Sequence, residues 1–509
     1  MKKYLFLFLL PLTLLGQKID DISGTINYYY INRISDGSII NLPYRIADIK
    51  WQRKDNALSL YSHLAMEYRM PSDNHFLEST SPQDFIWDLR ELYLTWQLKN
   101  GEIHIGKQIH SWGSVDGNSP ADNLNAHDYY YLFESGADQK IGALSTAADF
   151  YLGSWKFGFS ISPIHHTNRL PINDPQFPVD LPASPRSTQV IEVKKPLELG
   201  GYITKSLTKG DVTLSYFNGY DRVFSASGFN VCPAAITGLN KKTFYLLLIN
   251  QYSLAEYFSG GVVLPLKRNQ FIGINTSGLI IDNIQIRPDL SSIGSLESRR
   301  DSIRSLMDNG FETFDDLEFS ATITFAKMYK NNFKMGLDFI PYQLPVGINI
   351  RLIRKKLYDL EASGIGFDVG GILSFELSEF FSYEWLGRFS IGASVNHAFG
   401  THLIWNSDRK DIIPMQIVKG IAYNQPIEKF RSQLSILVQQ NNLFPDELQY
   451  GFELTTFNRL FMRIGNRAGT NQGGLGFLVN IGKIPIQLDY SFANHDLGNA
   501  HRLGFQLEL

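Results

Sequence analysis

The chain has one cysteine, Cys232, in 509 residues. No disulfide can close within it, and no cysteine-based metal site is available. After the first residues it has no continuous apolar run near the roughly 20 residues that a membrane-crossing helix needs. Nor does charge of one sign dominate: 47 Lys and Arg against 50 Asp and Glu leave a net charge of −3, which gives no electrostatic case for a nucleic-acid partner. The nucleophile elbow G-x-S-x-G, the zinc motif H-E-x-x-H, the P-loop and the dinucleotide fingerprint are all missing. The expectation is therefore a chain that is not an enzyme and holds no cofactor or metal. His165-His166, in a long connection without a partner at ligand spacing, reads as surface rather than as a metal site.

What is present starts with export. Lys2 and Lys3 precede an apolar run from Tyr4 to Leu15, followed by Gly16-Gln17. The run is too short to span a bilayer and reads as a signal peptide over residues 1–16. Aromatics are plentiful (Phe 35, Tyr 25, Trp 7), as is glycine (42). An exported chain without membrane helices, rich in aromatics and strand patterns, fits an outer-membrane barrel, whose apolar face hides in alternation.

The alternation is plain from Arg90 to Gly113. Leu92, Leu94, Trp96 and Leu98 share one face; Glu91, Tyr93, Thr95, Gln97 and Lys99 share the other, a period of two. Asn100-Gly101 is the pair that best makes a type I′ hairpin turn. Ile103 and Ile105 then resume the apolar face, with Glu102, His104 and Gln108 opposite. Leu58 to Met70 repeats the pattern, with Leu58, Leu60, Leu64 and Met66 against Tyr61, His63, Ala65 and Glu67. Such runs have the length of a tilted membrane strand, about 9–11 residues.

Connections alternate as well. Lys54–Asn56, Asn100-Gly101, Gly153-Ser154 and Lys209-Gly210 are short. Pro71–Asp84, Ser111–Lys140, Ile164–Glu198 and Arg222–Lys241 are long. Short periplasmic turns and long extracellular loops are the outer-membrane barrel plan. Between Pro288 and Asp316 the period changes: Ile293, Leu296, Ile303 and Met307 are spaced as on a helix ending at Gly310, which predicts a helical loop. Phe244–Leu264 and Phe333–Leu352 count as one strand each, with turns at Lys267-Arg268 and Tyr329–Asn332. The fold class is then all-β: a single transmembrane antiparallel barrel of about 22 strands (range 20–24) over residues 17–509. No segment ahead of the first strand is large enough for a plug domain, so occlusion is expected from long loops folding inward.

Two resemblances follow from particular stretches. LRELYLTWQLKNGEIHIGKQIHSWGSVDG, followed by Asp122-Asn123-Leu124-Asn125, resembles large outer-membrane porin-like proteins, with a strand ending in Gly-basic-Gln, then Trp-Gly, then an Asp/Asn-rich loop. Phe150–Pro163, Arg169-Leu170-Pro171 and Tyr216–Arg222 fit the same pattern, which covers roughly residues 17–242. Val346–Gly370, Phe389–Ile404 and the ending LDYSFANHDLGNAHRLGFQLEL resemble long-chain fatty-acid-transporter-like barrels, including the outer-membrane shuttle protein of type IX secretion, over residues 243–509. That family usually ends on an aromatic residue, where this chain has Leu509.

The expected function is an outer-membrane channel or transporter that passes or binds a small solute through a polar lumen. The alternative is a non-conducting barrel that serves a secretion or surface-attachment partner. The expected partners are outer-membrane lipid and lipopolysaccharide, the barrel-assembly machinery and the solute. Candidate lumen residues are Glu91, His104, Lys107, Gln108, Trp112, Asp116, Asp122, Asn123, Arg351 and Asp368. Strict alternation puts Lys107 on the lipid side with Ile105. A bulge at Gly106 would turn it inward, and that is the favoured reading; otherwise it snorkels to an interface. Whether Arg351 and Asp368 face each other across a lumen, as charges that sort solutes do, is left open by one sequence.

Overall fold

The structure is a computed structural model. It describes residues 19–69, 85–112, 123–131, 134, 136–171, 174, 190–191, 193, 196–208, 210–223, 225–233, 244–251, 254–267, 269–286, 295–309, 312–335, 338–381, 383–407, 409–467, 469–482, 484–494 and 499–508. The signal-peptide segment and the candidates Asp116 and Asp122 lie outside the described residues.

Twenty-two antiparallel strands close into one barrel. The first nine are β1 (Ile19–Arg33), β2 (Tyr44–Asp55), β3 (Leu58–Tyr68), β4 (Phe85–Leu98), β5 (Gly101–Gln108), β6 (Ala143–Leu152), β7 (Trp155–Ser162), β8 (Glu198–Leu207) and β9 (Gly210–Tyr220). Then come β10 (Leu254–Pro265), β11 (Gln270–Gln285), β12 (Thr313–Met335), β13 (Asp338–Leu357) and β14 (Leu360–Glu376). β15 is Arg388–Asn396 continued by Thr401–Trp405, and β16 is Lys410–Ile413 continued by Gln416–Ile427. The last six are β17 (Ser432–Asn441), β18 (Phe444–Thr456), β19 (Leu460–Arg467), β20 (Thr470–Ile481), β21 (Ile484–Asn494) and β22 (Ala500–Glu508). Each pairs with its chain neighbour, and β1 pairs with β22 from Thr25↔Glu508 to Arg33↔Ala500. Closure leaves no unpaired sheet edge, the condition for strands to stand in a bilayer.

The alternation decides which face is which. Leu94, Trp96, Ile105, Phe159, Leu214, Ile323, Ile350, Ile464 and Leu503 are exposed on the outside, an apolar girdle for lipid. The opposite rows are polar and small. One runs Ser215–Ser259–Ser277–Ser320 across β9 to β12, with the Ser215 and Ser259 hydroxyls 2.7 Å apart.

Two boundaries differ from the sequence reading. Phe244–Leu264 is not one strand: Phe244–Gln251 pairs with Ser225–Pro233 and Val190–Ile191 in a separate three-stranded sheet, and only Leu254–Pro265 enters the wall. The expected turn at Tyr329–Asn332 is ladder, with Asn331 opposite Tyr342; the pairing runs on to Met335↔Asp338. Tyr329–Asn332 holds no glycine to supply the φ > 0 that tight hairpins use. The helical loop is α1 (Leu296–Asn309).

The sorting of connections holds only to β12. The end that carries the tight turns at 56–57, 99–100 and 153–154 is termed lower. From β1 to β12 every long connection is at the upper end. From β13 onward the upper connections are tight too, at 358–359, 442–443 and 468–469, while the lower end carries a short helix, α2 (Leu377–Phe381).

Candidate functional site

The lumen has two unlike sides. On the side of β2 to β9, the upper connections fold in against the wall. Arg169 grips Glu67 of β3 through two hydrogen bonds of 2.7 Å and reaches Asp128 at 3.1 Å. Tyr131 donates to the same Glu67 carboxylate at 2.8 Å. Arg69 meets Asp174 at 2.7 Å, and the Arg45 guanidinium sits 3.9 Å from the centre of the Tyr131 ring. Farther round, Arg222 binds both oxygens of Glu198 at 2.9 Å and donates to the carbonyls of Asn123, Leu124 and His166. Fork geometry of this kind is what a guanidinium does better than an ammonium. Trp112, Leu124 and Phe217 are buried together with Tyr202 and Tyr257 against them. Gly200 leaves the room for the Trp112 ring, since a Cβ there would stand 2.3 Å from it.

Burial sets the charge states in these connections. It pulls the Arg169 guanidinium down, but the Glu67 hydrogen bonds, with Glu67 and Asp128 charge, outweigh it and hold it above its ordinary value. Burial raises Asp128, against the pull of Arg169. His110 is pushed down to about 4 by burial, then by His104 and Lys140. Its Nε2 is 2.9 Å from the Ser145 hydroxyl, and Lys140 donates to its carbonyl.

The other side is open. The inner wall of β16 to β22, with Tyr29 of β1, lines a cavity of about 810 Å³. Gly451, Gly465, Gly474 and Gly476 face it, so the wall is low there. Over it stand Arg463 and Glu453, paired at 2.8 Å, and Arg502, whose guanidinium lies 3.9 Å from the Tyr29 ring centre. A second cavity of about 360 Å³ shares Tyr29 and passes between the wall residues Arg45, Asp48 and Lys50 and the inward connection at Tyr131, Glu134 and Asp138.

Of the sequence candidates, Glu91 accepts from the Ile109 amide at 2.9 Å, and His104 lies 2.9 Å from Thr95 Oγ1. Gln108 is buried and donates to the Ser145 carbonyl, and its own carbonyl accepts from Asn125. Glu91, Gln108 and Trp112 thus hold the inward connections, while His104 stays within the wall of β4 and β5. Lys107 is a correction. Gly106 has φ +141°, but the ladder is unbroken on both sides. Lys107 therefore pairs with Leu92 and Leu144, both exposed on the outer face, and its ammonium reaches Asp88 at 3.9 Å. It is a snorkelling lysine. Arg351 and Asp368 are neighbours, 2.8 Å apart, and not opposed across the lumen. Asp368 also accepts from Asn349 and from the His397 amide, where β15 breaks. Asn123 and Arg351, from opposite halves of the chain, line one cavity of about 540 Å³ with Tyr257, Ser320 and His397.

The sequence reading missed Arg90. The β3–β4 register shifts between His63 and Leu64, which leaves Arg90 unopposed and turned inward, 2% exposed, donating to the Ala137 and Lys140 carbonyls. Two successive polar residues, Arg90-Glu91, were the signal. His165, read as surface, is buried 2.8 Å from Glu198.

No protein-family model and no curated protein sequence matches the chain. Solved structures do. The translocation pore of the P pilus usher PapC matches at TM-score 0.34 and 7% identity, over 96% of this chain and 98% of that one. OpdK of Pseudomonas aeruginosa, crystallised with vanillate, matches at 0.36 and 9%, over 96% and 98%. OccAB1 of Acinetobacter baumannii matches at 0.37 and 7%, over 97% and 96%. These likenesses are too slight to bring any neighbour's activity here. The chain's own closure and apolar girdle make it an outer-membrane β-barrel.

Proposed function

We propose that this barrel is a channel for a small hydrophilic solute, which passes along the inner wall of β16 to β22 while the inward connections fill the side of β2 to β9. The observation that carries the reading is the glycine-lowered wall beside a packed half. Several inward charges of the lumen are paired: Glu453 with Arg463 beside this wall, and Asp368 with Arg351 and Glu318 with Lys355 on β12 to β14. A lumen of paired charges and small residues favours polar solutes with modest ion selectivity.

The test is unitary conductance of the refolded chain in a planar bilayer. In a Cys232→Ser background, a cysteine at Gly465 is expected to let a charged thiol reagent cut the current sharply, and one at Ser160 on the packed side to leave it unchanged. Equal block at both positions overturns the assigned path. A folded, inserted barrel without current overturns the channel and favours a barrel that serves a secretion or attachment partner.

A further inference from the structure

The outer face carries one feature that a plain lipid girdle does not need. A row of cross-strand partners runs Gly371–Ala393–Lys419–Gln440 over β14 to β17. The adjacent outward row carries Ile391 and Ile421, which are exposed. Glycine and alanine where neighbouring rows have large aliphatics leave a groove of about 590 Å³. Lys419 stands in it, exposed, between outward Ile417 and Ile421.

Other outward cations have a partner at hand: Lys107 has Asp88 and Arg354 has Glu361, while Lys205 lies 4.6 Å from the Trp155 ring centre and Lys327 4.3 Å from that of Tyr329. Lys419 has no ion-pair partner among the described residues. A lysine on the lipid face is costly at the bilayer midplane and nearly free at an interface. Its cross-strand partner Gln440 is the next-to-last residue of β17, at the upper rim. Outward Tyr450, Asn466 and Asn471, hydrogen-bonded to one another, mark the same rim one to three strands on. The groove thus has a cation and an amide at its upper end and an apolar floor descending over Ala393 and Gly371.

We propose that this groove binds the lipid A part of lipopolysaccharide, with a phosphate on Lys419 and an acyl chain over Ala393 and Gly371. Chain-down, head-up placement is that of an outer-leaflet lipid when the upper end faces outward, an orientation this proposal shares with the channel reading. The groove does not depend on conduction, so a silent barrel leaves it standing.

The test adds bisphosphorylated lipid A to the delipidated, refolded full chain in detergent and counts bound lipid by native mass spectrometry. Lys419→Gln is expected to weaken binding about five-fold, and Gly371→Leu to weaken it by filling the floor. Lys50→Gln, on the lumen wall, serves as the control. Heat-modifiable gel mobility confirms that each variant is folded. Unchanged binding in both groove variants, or equal binding of lipid A stripped of its phosphates, overturns the proposal. So does equal loss in the Lys50 control.

Discussion

Two ion pairs of nearly equal length separate the halves of this lumen. Arg222–Glu198 spans 2.9 Å with side chains 11% and 1% exposed. Arg463–Glu453 spans 2.8 Å with side chains 62% and 45% exposed. The first is built into packed connections and the second stands in open space, so distance says little about what each contributes. A buried carboxylate that loses its cation is left uncompensated, whereas an exposed one is resolvated. Substitutions in the packed half are therefore expected to unfold the protein, and those in the open half, on the channel proposal, to change what passes.

The largest effect follows from breaking the packed pair. Arg222→Ala takes the guanidinium from buried Glu198, leaving it His165 at 2.8 Å and the Tyr220 amide, and releases three backbone carbonyls. It is expected to destabilise the barrel by about 3–5 kcal/mol, read as a lower urea midpoint in lipid vesicles. Noisier and larger unitary currents should accompany it as the connections loosen. A quiet, wild-type trace with unchanged stability would remove the distinction between the halves.

Acid tests the same half. His110 has a folded-state pKa of about 4 against an ordinary value of 6.5. Between those values the unfolded chain binds more protons, so the contribution of neutral His110 is complete above pH 6.5 and is lost as pH falls toward 4. The loss is on the order of 3 kcal/mol. His110→Gln should flatten this part of the stability profile, and a profile with the same slope in both proteins would assign the acid response elsewhere.

Asp368 lies between the two extremes, with its partner Arg351 31% exposed. Asp368→Asn keeps the shape but removes the charge that holds Arg351 and the His397 amide. The expected cost is about 1–3 kcal/mol, with faster amide hydrogen exchange confined to residues 396–401. Exchange spread over the whole barrel would show that Asp368 does more than hold the break in β15.

Much of this was legible in the sequence, and the boundary has a physical cause. Period-two alternation assigns lumen and lipid faces strand by strand, so Leu94 and Thr95, or Ile350 and Arg351, separate correctly from local pattern. The strand count follows from the same signal. What stayed hidden depends on pairing between strands. A lysine falling on the lipid face suggests a bulge at Gly106, yet the bulge is in the β3–β4 pair at Arg90, where two polar residues compete for one inward place. Asn123 and Arg351 share a cavity because the connection after β5, which carries Asn123, folds inward beside β13, and no local pattern records that. The packing of His165 against Glu198 is hidden for the same reason.

The smallest effect on stability is expected in the open half, and it discriminates most about function. Arg502 has no carboxylate partner among the described residues; its guanidinium lies over Tyr29. Arg502→Gln removes one fixed positive charge from a wall whose other charges are mostly paired. Stability should change by less than about 1 kcal/mol, because Arg502 stands beside the open cavity and an aromatic contact there contributes about 0.5–1 kcal/mol. The reversal potential under a salt gradient should move toward cations, since the change leaves Asp489, which lines the same cavity with no ion-pair partner among the described residues, to set the sign of the local potential. A shift of equal size from Arg222→Ala would mean that ions also cross the packed side, and the two halves would then share one path.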